Sequence, residues 1–171
     1  MKFLALIAGL LITVGVAAGV VDKQLRQGKE QKVEPTPTAA MAVGRVKLST
    51  RMEEGKLKLM AEPVGGEVLL SAFALKLKVV GGKLGGDGKL TPGGEMIKEG
   101  WSFPITKAEE IKGGVEIKLA GAFISAQKYN FGGRVELARV PITGSGLKFE
   151  VDREETRFLI KDGRRVEMEG L

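Results

Sequence analysis

From Gly44 onward, apolar and polar residues alternate along the chain. In the segment SAFALKLKVV, Phe73, Leu75 and Leu77 fall on one side of an extended backbone, and the intervening alanine and lysine fall on the other. This period of two is typical of a β-strand with one buried face. The same alternation predicts strands around six further apolar sets: Leu57 and Leu59; Val115, Ile117 and Leu119; Val135 and Leu137; Leu147, Phe149 and Val151; Phe158 and Ile160; Val166 and Met168.

Pairs of glycines divide these runs, as turns and hairpins require. They lie at positions 65–66, 81–82, 85–86, 93–94, 113–114 and 132–133. After Lys32 the sequence shows no helical periodicity. Many short strands separated by turn signals predict an all-β fold, either an antiparallel β-sandwich or a barrel.

The start of the chain has a different pattern. The run from Phe3 to Val21 contains 19 uncharged residues, and a helix that rises about 1.5 Å per residue would reach roughly 28 Å, close to the thickness of the bilayer's hydrocarbon core. We therefore expect a transmembrane anchor in contact with membrane lipid. A cleaved signal peptide is the alternative, since Val16 and Ala18 fit cleavage after Ala18 and would give a secreted protein.

Three segments follow from these patterns: a membrane anchor or signal at residues 1–22, a polar helix exit with a Pro/Thr linker at 23–43, and a β-sandwich domain at 44–171. Pro35 and Pro37 end any helix and favour an extended spacer. Gly15 and Gly19 have the GxxxG spacing that lets membrane helices approach closely, so a homo-oligomer is an alternative prediction.

Composition limits the chemistry that the chain can perform. It has no cysteine and no histidine, so it lacks disulfides, thiol nucleophiles, the usual general base near neutral pH and the commonest zinc ligands. The net charge is +6, but lysine and glutamate alternate instead of forming blocks. We therefore expect solvated strand faces, no nucleic-acid partner, no cofactor and no enzymatic activity.

Two motifs have the spacing of known chemical sites but not their surroundings. Ser125 and Lys128 match the S-x-x-K spacing of penicillin-recognising enzymes, yet strand patterns flank them and the companion motifs are missing. The segment GGKLGGDGKLTPGG lacks the glycine spacing of a phosphate-binding P-loop. Asp87 in this segment would need further oxygen ligands to bind calcium, so we predict no metal site.

Aromatic residues beside glycine-rich segments are the remaining candidates for ligand binding. Trp101, Tyr129 and Asp87 are the predicted ligand-binding residues, because flat aromatic rings near flexible loops can stack on sugar rings. The competing interpretation is that Trp101 and Phe103 fill the core between two sheets. Tyr129 is the better candidate because tyrosine tolerates exposure.

Two segments carry a resemblance to a known family. SAFALKLKVV resembles an early strand, and GGRVELARVPITGSGLKFEVDREETRFLIKDGRRV resembles the closing strands, of the cohesin-like β-sandwich domains of membrane-anchored surface proteins in small-genome, uncultivated bacteria. The resemblance covers residues 44–171. It implies a jelly-roll-type sandwich, related in fold to carbohydrate-binding modules, that lies outside the membrane and binds a polysaccharide or a surface protein in adhesion.

The distribution of basic residues around the apolar run argues against export of the β domain. Lys2 precedes the apolar run, whereas four basic residues follow it, and the positive-inside rule would place that side in the cytoplasm. The four basic residues are Lys23, Arg26, Lys29 and Lys32. We nevertheless expect export, because the resemblance implies a domain that lies outside the membrane.

A self-assembling structural surface protein is the alternative function.

Overall fold

The alternating segments form β-strands. The computed structural model describes residues 44–125 and 129–171, all of which lie in one compact unit. Within these residues there are eleven strands and one short helix: β1 Arg45–Glu53, β2 Lys56–Val64, β3 Leu70–Val80, β4 Lys83–Leu84, β5 Thr91–Pro92, α1 Gly94–Lys98, β6 Trp101–Ile111, β7 Gly114–Phe123, β8 Val135–Thr143, β9 Lys148–Val151, β10 Arg157–Ile160 and β11 Arg165–Glu169.

The strands form one hydrogen-bonded path in the order β4-β8-β2-β1-β11-β10-β3-β7-β6, with β5 paired to β8 and β9 paired to β3. Neighbours are antiparallel except β1 and β11, which are parallel. The prediction of a purely antiparallel sandwich is therefore wrong at this pair. Parallel neighbours need a long connection, and here almost the whole domain separates the two strands.

Strand β11 joins the two layers of the sandwich. Its first residues, Arg165 and Val166, pair with β10, and the segment from Glu167 to Glu169 pairs with β1. A strand that changes partners in this way forms a corner between sheets. At the opposite edge, the Leu84 amide of β4 donates a hydrogen bond to Glu110 Oε1 of β6, at 2.9 Å. The two layers thus approach each other along both edges.

A single apolar core lies between the layers. The predicted buried face of β3 is confirmed, since Leu75, Leu77 and Val79 expose 1% or less of their surface. These residues belong to the same core cluster as Ile117 of β7 and Leu59 of β2. Burying a side chain of this size contributes about 1.5–3 kcal/mol, so the alternating residues supply most of the driving force for the sandwich.

The short helix α1 was not predicted from the sequence. It spans five residues, a single turn, which is too short for a helical period to be visible. Met96 anchors it in the core with 1% exposure. The preceding Gly93 crosses β8 so closely that a Cβ there would lie 1.8 Å from the Glu136 carbonyl oxygen. The glycine is therefore required for the helix to pack at this point.

Strand β3 has two partners along one of its edges. β10 pairs with its first half, Leu70 to Ala74, and β9 pairs with its second half, Leu77 to Val80. The intervening residues 152–156 form a loop opposite Lys76, at the point where the pairing is interrupted. This interruption was not predicted.

No helix among residues 44–125 and 129–171 is long and apolar enough to cross a membrane. Three predicted features lie outside the described residues: the anchor from Phe3 to Val21, the Pro/Thr linker, and Lys128 of the S-x-x-K motif.

Candidate functional site

The outer face of strands β6, β7 and β3 carries a patch of small apolar residues. Cross-strand pairing aligns Ala72 with Ala122, and Ala74 with Ala120. These positions alternate with the inward-facing residues of the same strands, and Ile105 of β6 continues the second row. We call Ala72, Ala74, Ala120, Ala122 and Ile105 the alanine face. Ala74 and Ala120 expose 7% and 4% of their surface, and Ala72, Ala122 and Ile105 are half-buried. Because alanine side chains are short, this part of the sheet is flat.

Charged residues occupy the neighbouring rows of the same sheet. Lys118 pairs with Glu116 at 2.5 Å, and Lys107 pairs with Glu109 at 2.5 Å. Lys78 lies 3.8 Å from Glu150 of β9. Oppositely charged rows thus run beside the alanine face, in agreement with the prediction of solvated strand faces.

Lys76 lies at the centre of a group of three carboxylates. Its ammonium donates a hydrogen bond to Glu155 at 2.8 Å and lies 3.2 Å from Asp152 and 3.8 Å from Glu116. The hydrogen bond to Glu155 raises the pKa of Lys76, although partial burial opposes the shift. The hydrogen bond from the Glu155 backbone amide is the main cause of the lowered pKa of Asp152. These contacts fasten the loop 152–156 to β3.

A groove of about 730 Å³ lies beside helix α1 and the end of β7. We call it the α1 groove. Tyr129, one of the predicted ligand-binding residues, contributes to its wall, and its ring centroid lies 5.4 Å from that of Phe123. The groove is lined by Glu95, Lys98, Glu99, Phe123, Tyr129, Asn130 and Val135.

The structure brings two of the three predicted site residues together. The rings of Trp101 and Tyr129 meet edge to face, with centroids 5.4 Å apart. Trp101 exposes only 4% of its surface, so it supports the groove from below and presents no open face. Its Nε1 has no hydrogen-bond acceptor among the described residues.

Asp87 lies elsewhere and does not line the α1 groove. Its carboxylate accepts a hydrogen bond from the Lys89 amide at 3.0 Å, which stabilises the local turn. In the described part of the chain, no three acidic residues are grouped in a way that could hold a metal ion.

A second, smaller groove of about 300 Å³ lies on the outer face of the other layer. Most of its charged side chains are already paired, Lys58 with Glu53 at 2.5 Å and Arg134 with Glu62 at 2.8 Å. Arg51 is the lining cation outside the described ion pairs. Ions that are satisfied within the protein have less to gain from a ligand. The α1 groove is the stronger candidate.

Three residues of the groove could not be identified from the sequence: Glu95, Glu99 and Phe123. The two glutamates are four residues apart, a spacing that places them on one side of a helix, but the helix itself gave no signal. Phe123 ends a strand that was predicted, but the alternation does not indicate that its ring lies beside Tyr129.

Comparison with known proteins identifies the fold. No protein-family model and no curated protein matches the chain. A chain in the crystal structure of the CaDoc0917–CaCohA2 complex matches with a TM-score of 0.50 and 10% identity, covering 74% of this chain and 94% of that one. The protein has a cohesin-like β fold. This confirms the expected all-β sandwich.

A chain in the Coh-OlpC–Doc435 complex, a type I cohesin–dockerin complex from Clostridium thermocellum, has a TM-score of 0.49 and 13% identity. The match covers 77% of this chain and 91% of that chain.

Proposed function

We propose that residues 44–171 form a non-catalytic binding module that engages another surface protein. The observation that carries this proposal is the alanine face, a flat apolar patch bordered by ion-paired rows. The accessible surface of this face is supplied mainly by Ala72, Ala122 and Ile105. An apolar centre with a polar rim is the usual composition of a protein–protein interface, whereas small molecules bind in concave pockets. The cohesin-like fold adds support, because a chain of that fold was crystallised in complex with a second protein.

A polysaccharide is the second ligand class that the sequence favoured. Its best support was a platform of exposed aromatic rings, and Trp101 is 4% exposed. A buried indole cannot stack on a sugar ring, which leaves Tyr129 in the wall of the α1 groove as the predicted aromatic residue that could do so. The protein partner is therefore the function that the geometry supports best, and the polysaccharide becomes an arm of the test.

We further propose that the module is displayed outside the cell membrane by the apolar run from Phe3 to Val21. The support is the length of that run and the Pro/Thr spacer that follows it. Protease added to intact cells should degrade the domain, and the intact mass of the protein should include residues 1–18. A domain protected until the cells are lysed would contradict display, and a mature chain that begins at Gly19 would contradict the anchor.

A photo-crosslinking experiment tests the alanine face. A photoreactive phenylalanine analogue replaces Ile105 in the full-length protein, expressed in the source cells. We expect a discrete crosslinked species containing one other protein. The matched control carries the same analogue at Ser49, a half-buried position in the other layer, and should give no such species.

The mass of the crosslinked species separates the alternatives. A product of twice the protein's own mass would favour self-assembly into a structural layer, and sedimentation of the purified protein would then show the same oligomer. Equal crosslinking from Ile105 and Ser49 would refute a specific role for the alanine face. Retention on a glycan array without any protein crosslink would replace the protein partner with a polysaccharide.

A further inference from the structure

The α1 groove carries unpaired negative charge. Glu95 and Glu99 are one helical turn apart, and the Glu99 amide donates a hydrogen bond to the Glu95 carbonyl oxygen at 3.0 Å. Both carboxylates line the groove, and among the described ion pairs neither has a partner. Lys98 is the single cation among the described residues that line the groove. The described lining thus has two carboxylates against one ammonium, on a chain whose net charge is +6.

Aromatic rings form the adjoining wall. The Tyr129 and Phe123 rings contact each other, and Trp101 lies against both, with centroids 5.4 Å and 5.8 Å away. Burial, followed by the charges of Glu99 and Glu95, raises the pKa of Tyr129. Since the two carboxylates and the two rings line the same groove, the acidic and aromatic parts belong to one site.

Exposed apolar side chains lie next to this groove. Ile124 follows Phe123 and is 73% exposed, and Ile97 on helix α1 is 52% exposed. The Ile124 amide donates a hydrogen bond to the Gly100 carbonyl oxygen at 3.2 Å, which holds Ile124 beside the end of the helix. Large exposed apolar side chains in the segments that form a groove are more typical of a protein-binding surface than of a solvated edge.

We propose that the α1 groove binds an arginine side chain presented by a partner protein. A guanidinium group is planar and always charged, stacks on aromatic rings and makes paired hydrogen bonds to carboxylates. Glu95 and Glu99 supply the carboxylates, and Tyr129 and Phe123 supply the rings. The isoleucines contact the aliphatic part of the partner segment.

This inference rests on the proposed protein-binding function but assigns a separate surface. The alanine face is formed by the outer sides of β3, β6 and β7, whereas the groove is lined by helix α1, by Phe123 at the end of β7 and by Tyr129. Failure of crosslinking at Ile105 would therefore leave the groove's affinity for arginine unchanged, and loss of arginine binding would leave the crosslink intact.

Trp101 provides a direct readout, because it is the chain's only tryptophan and its ring touches both aromatic residues of the groove. Full-length protein in a neutral detergent is titrated with the blocked peptide acetyl-Gly-Arg-Gly-amide. We expect a saturable change in Trp101 fluorescence. The peptide with citrulline in place of arginine has the same shape without the charge and should give no saturable change. The lysine peptide should bind more weakly.

Substitutions locate the effect. Glu99→Gln keeps the shape of the side chain and removes its charge, so we expect it to lower the affinity for the arginine peptide by about tenfold or more. Glu167→Gln is the matched control, since Glu167 is an exposed glutamate that does not line the groove, and it should leave the affinity unchanged. Thermal unfolding of both variants at the wild-type temperature shows that the fold is intact.

Calorimetry of the same titration detects binding that leaves the Trp101 fluorescence unchanged. Absence of both a saturable fluorescence change and binding heat with the arginine peptide would overturn the proposal. Equal binding of the arginine and citrulline peptides would also overturn it, because charge would then play no part. A response to cellotriose but not to arginine would reassign the groove to a carbohydrate.

Discussion

At the scale of single residues, Thr156 shows how the interrupted edge of β3 is completed. Among the described residues it is the one buried polar residue, with 5% exposure. Its hydroxyl accepts a hydrogen bond from the Lys76 amide at 3.1 Å and donates one to the Lys76 carbonyl oxygen at 3.3 Å. A side chain thus replaces the backbone partner that a continuous strand would supply, as buried polar groups require.

We expect Thr156→Val to destabilise the protein by about 1–3 kcal/mol, because the change preserves shape but leaves the buried Lys76 amide without an acceptor. Urea unfolding of the full-length protein in detergent, followed by Trp101 fluorescence, measures the effect. Thr143→Val is the control. Thr143 is exposed at the end of β8, so this change should stay within about 0.5 kcal/mol of wild type. Equal stability of the two variants would show that the hydroxyl of Thr156 has no structural role.

Asp152 should make the fold sensitive to acid. The Glu155 amide donates to Asp152 Oδ1 at 3.1 Å and, together with Lys76, lowers the pKa of Asp152. The folded-state pKa therefore lies below the unfolded value of about 3.9. The stabilisation by ionised Asp152 is present above that value and is lost as pH falls through the folded-state pKa.

Asp152→Asn should consequently be less stable than wild type at neutral pH, and the difference should shrink as the solution is acidified below about pH 4. Urea unfolding of both proteins at a series of pH values measures it. A difference that stays constant from neutral to strongly acidic solution would show that the charge of Asp152 does not stabilise the fold.

At the scale of elements, the contact between β3 and β7 depends on a glycine. Phe73 of β3 lies directly opposite Gly121 of β7, and a Cβ at Gly121 would be only 2.5 Å from the Phe73 ring. That ring is stacked on Phe158 at a centroid distance of 5.8 Å and also contacts Trp101. It has little room to move, so the glycine creates the space in which the aromatic residues pack.

Gly121→Ala should therefore destabilise the protein by about 1–3 kcal/mol through overpacking. Gly94→Ala is the control, because a Cβ at Gly94 would meet no atom within 4 Å, and it should be neutral or stabilising by about 0.4–1 kcal/mol. Thermal unfolding measures both. Adding Phe73→Leu to Gly121→Ala should recover part of the loss. Two glycine variants of equal stability would contradict the role of this contact.

Elements whose pattern is local could be predicted, and the others could not. β3 and β7 alternate without interruption, so their buried faces are visible in the sequence. β6 was missed because a bulge between Ser102 and Ile105 shifts its register, which breaks the alternation. Helix α1 is a single turn, shorter than the period that would reveal it.

At the scale of the whole molecule, the pairing of strands could not be predicted from the sequence pattern. Alternation tells which face of a strand is buried but not which strand lies beside it. The parallel pair of β1 and β11 joins segments more than a hundred residues apart, as in the register of Arg45 with Glu167. The α1 groove could not be predicted for the same reason. Glu99, Phe123 and Tyr129 come from separate segments that only the folded chain brings together.

Because β11 pairs with both β1 and β10, its removal should open the sandwich at the corner between the two layers. A chain that ends at Arg164 loses the buried Val166 and exposes two strand edges, which favours aggregation. We expect this truncation to abolish cooperative thermal unfolding. A chain that ends at Glu169 retains all of β11 and should unfold cooperatively, like wild type. Cooperative unfolding of both truncated proteins would mean that the layers are held together by the core alone, without the strand that connects them.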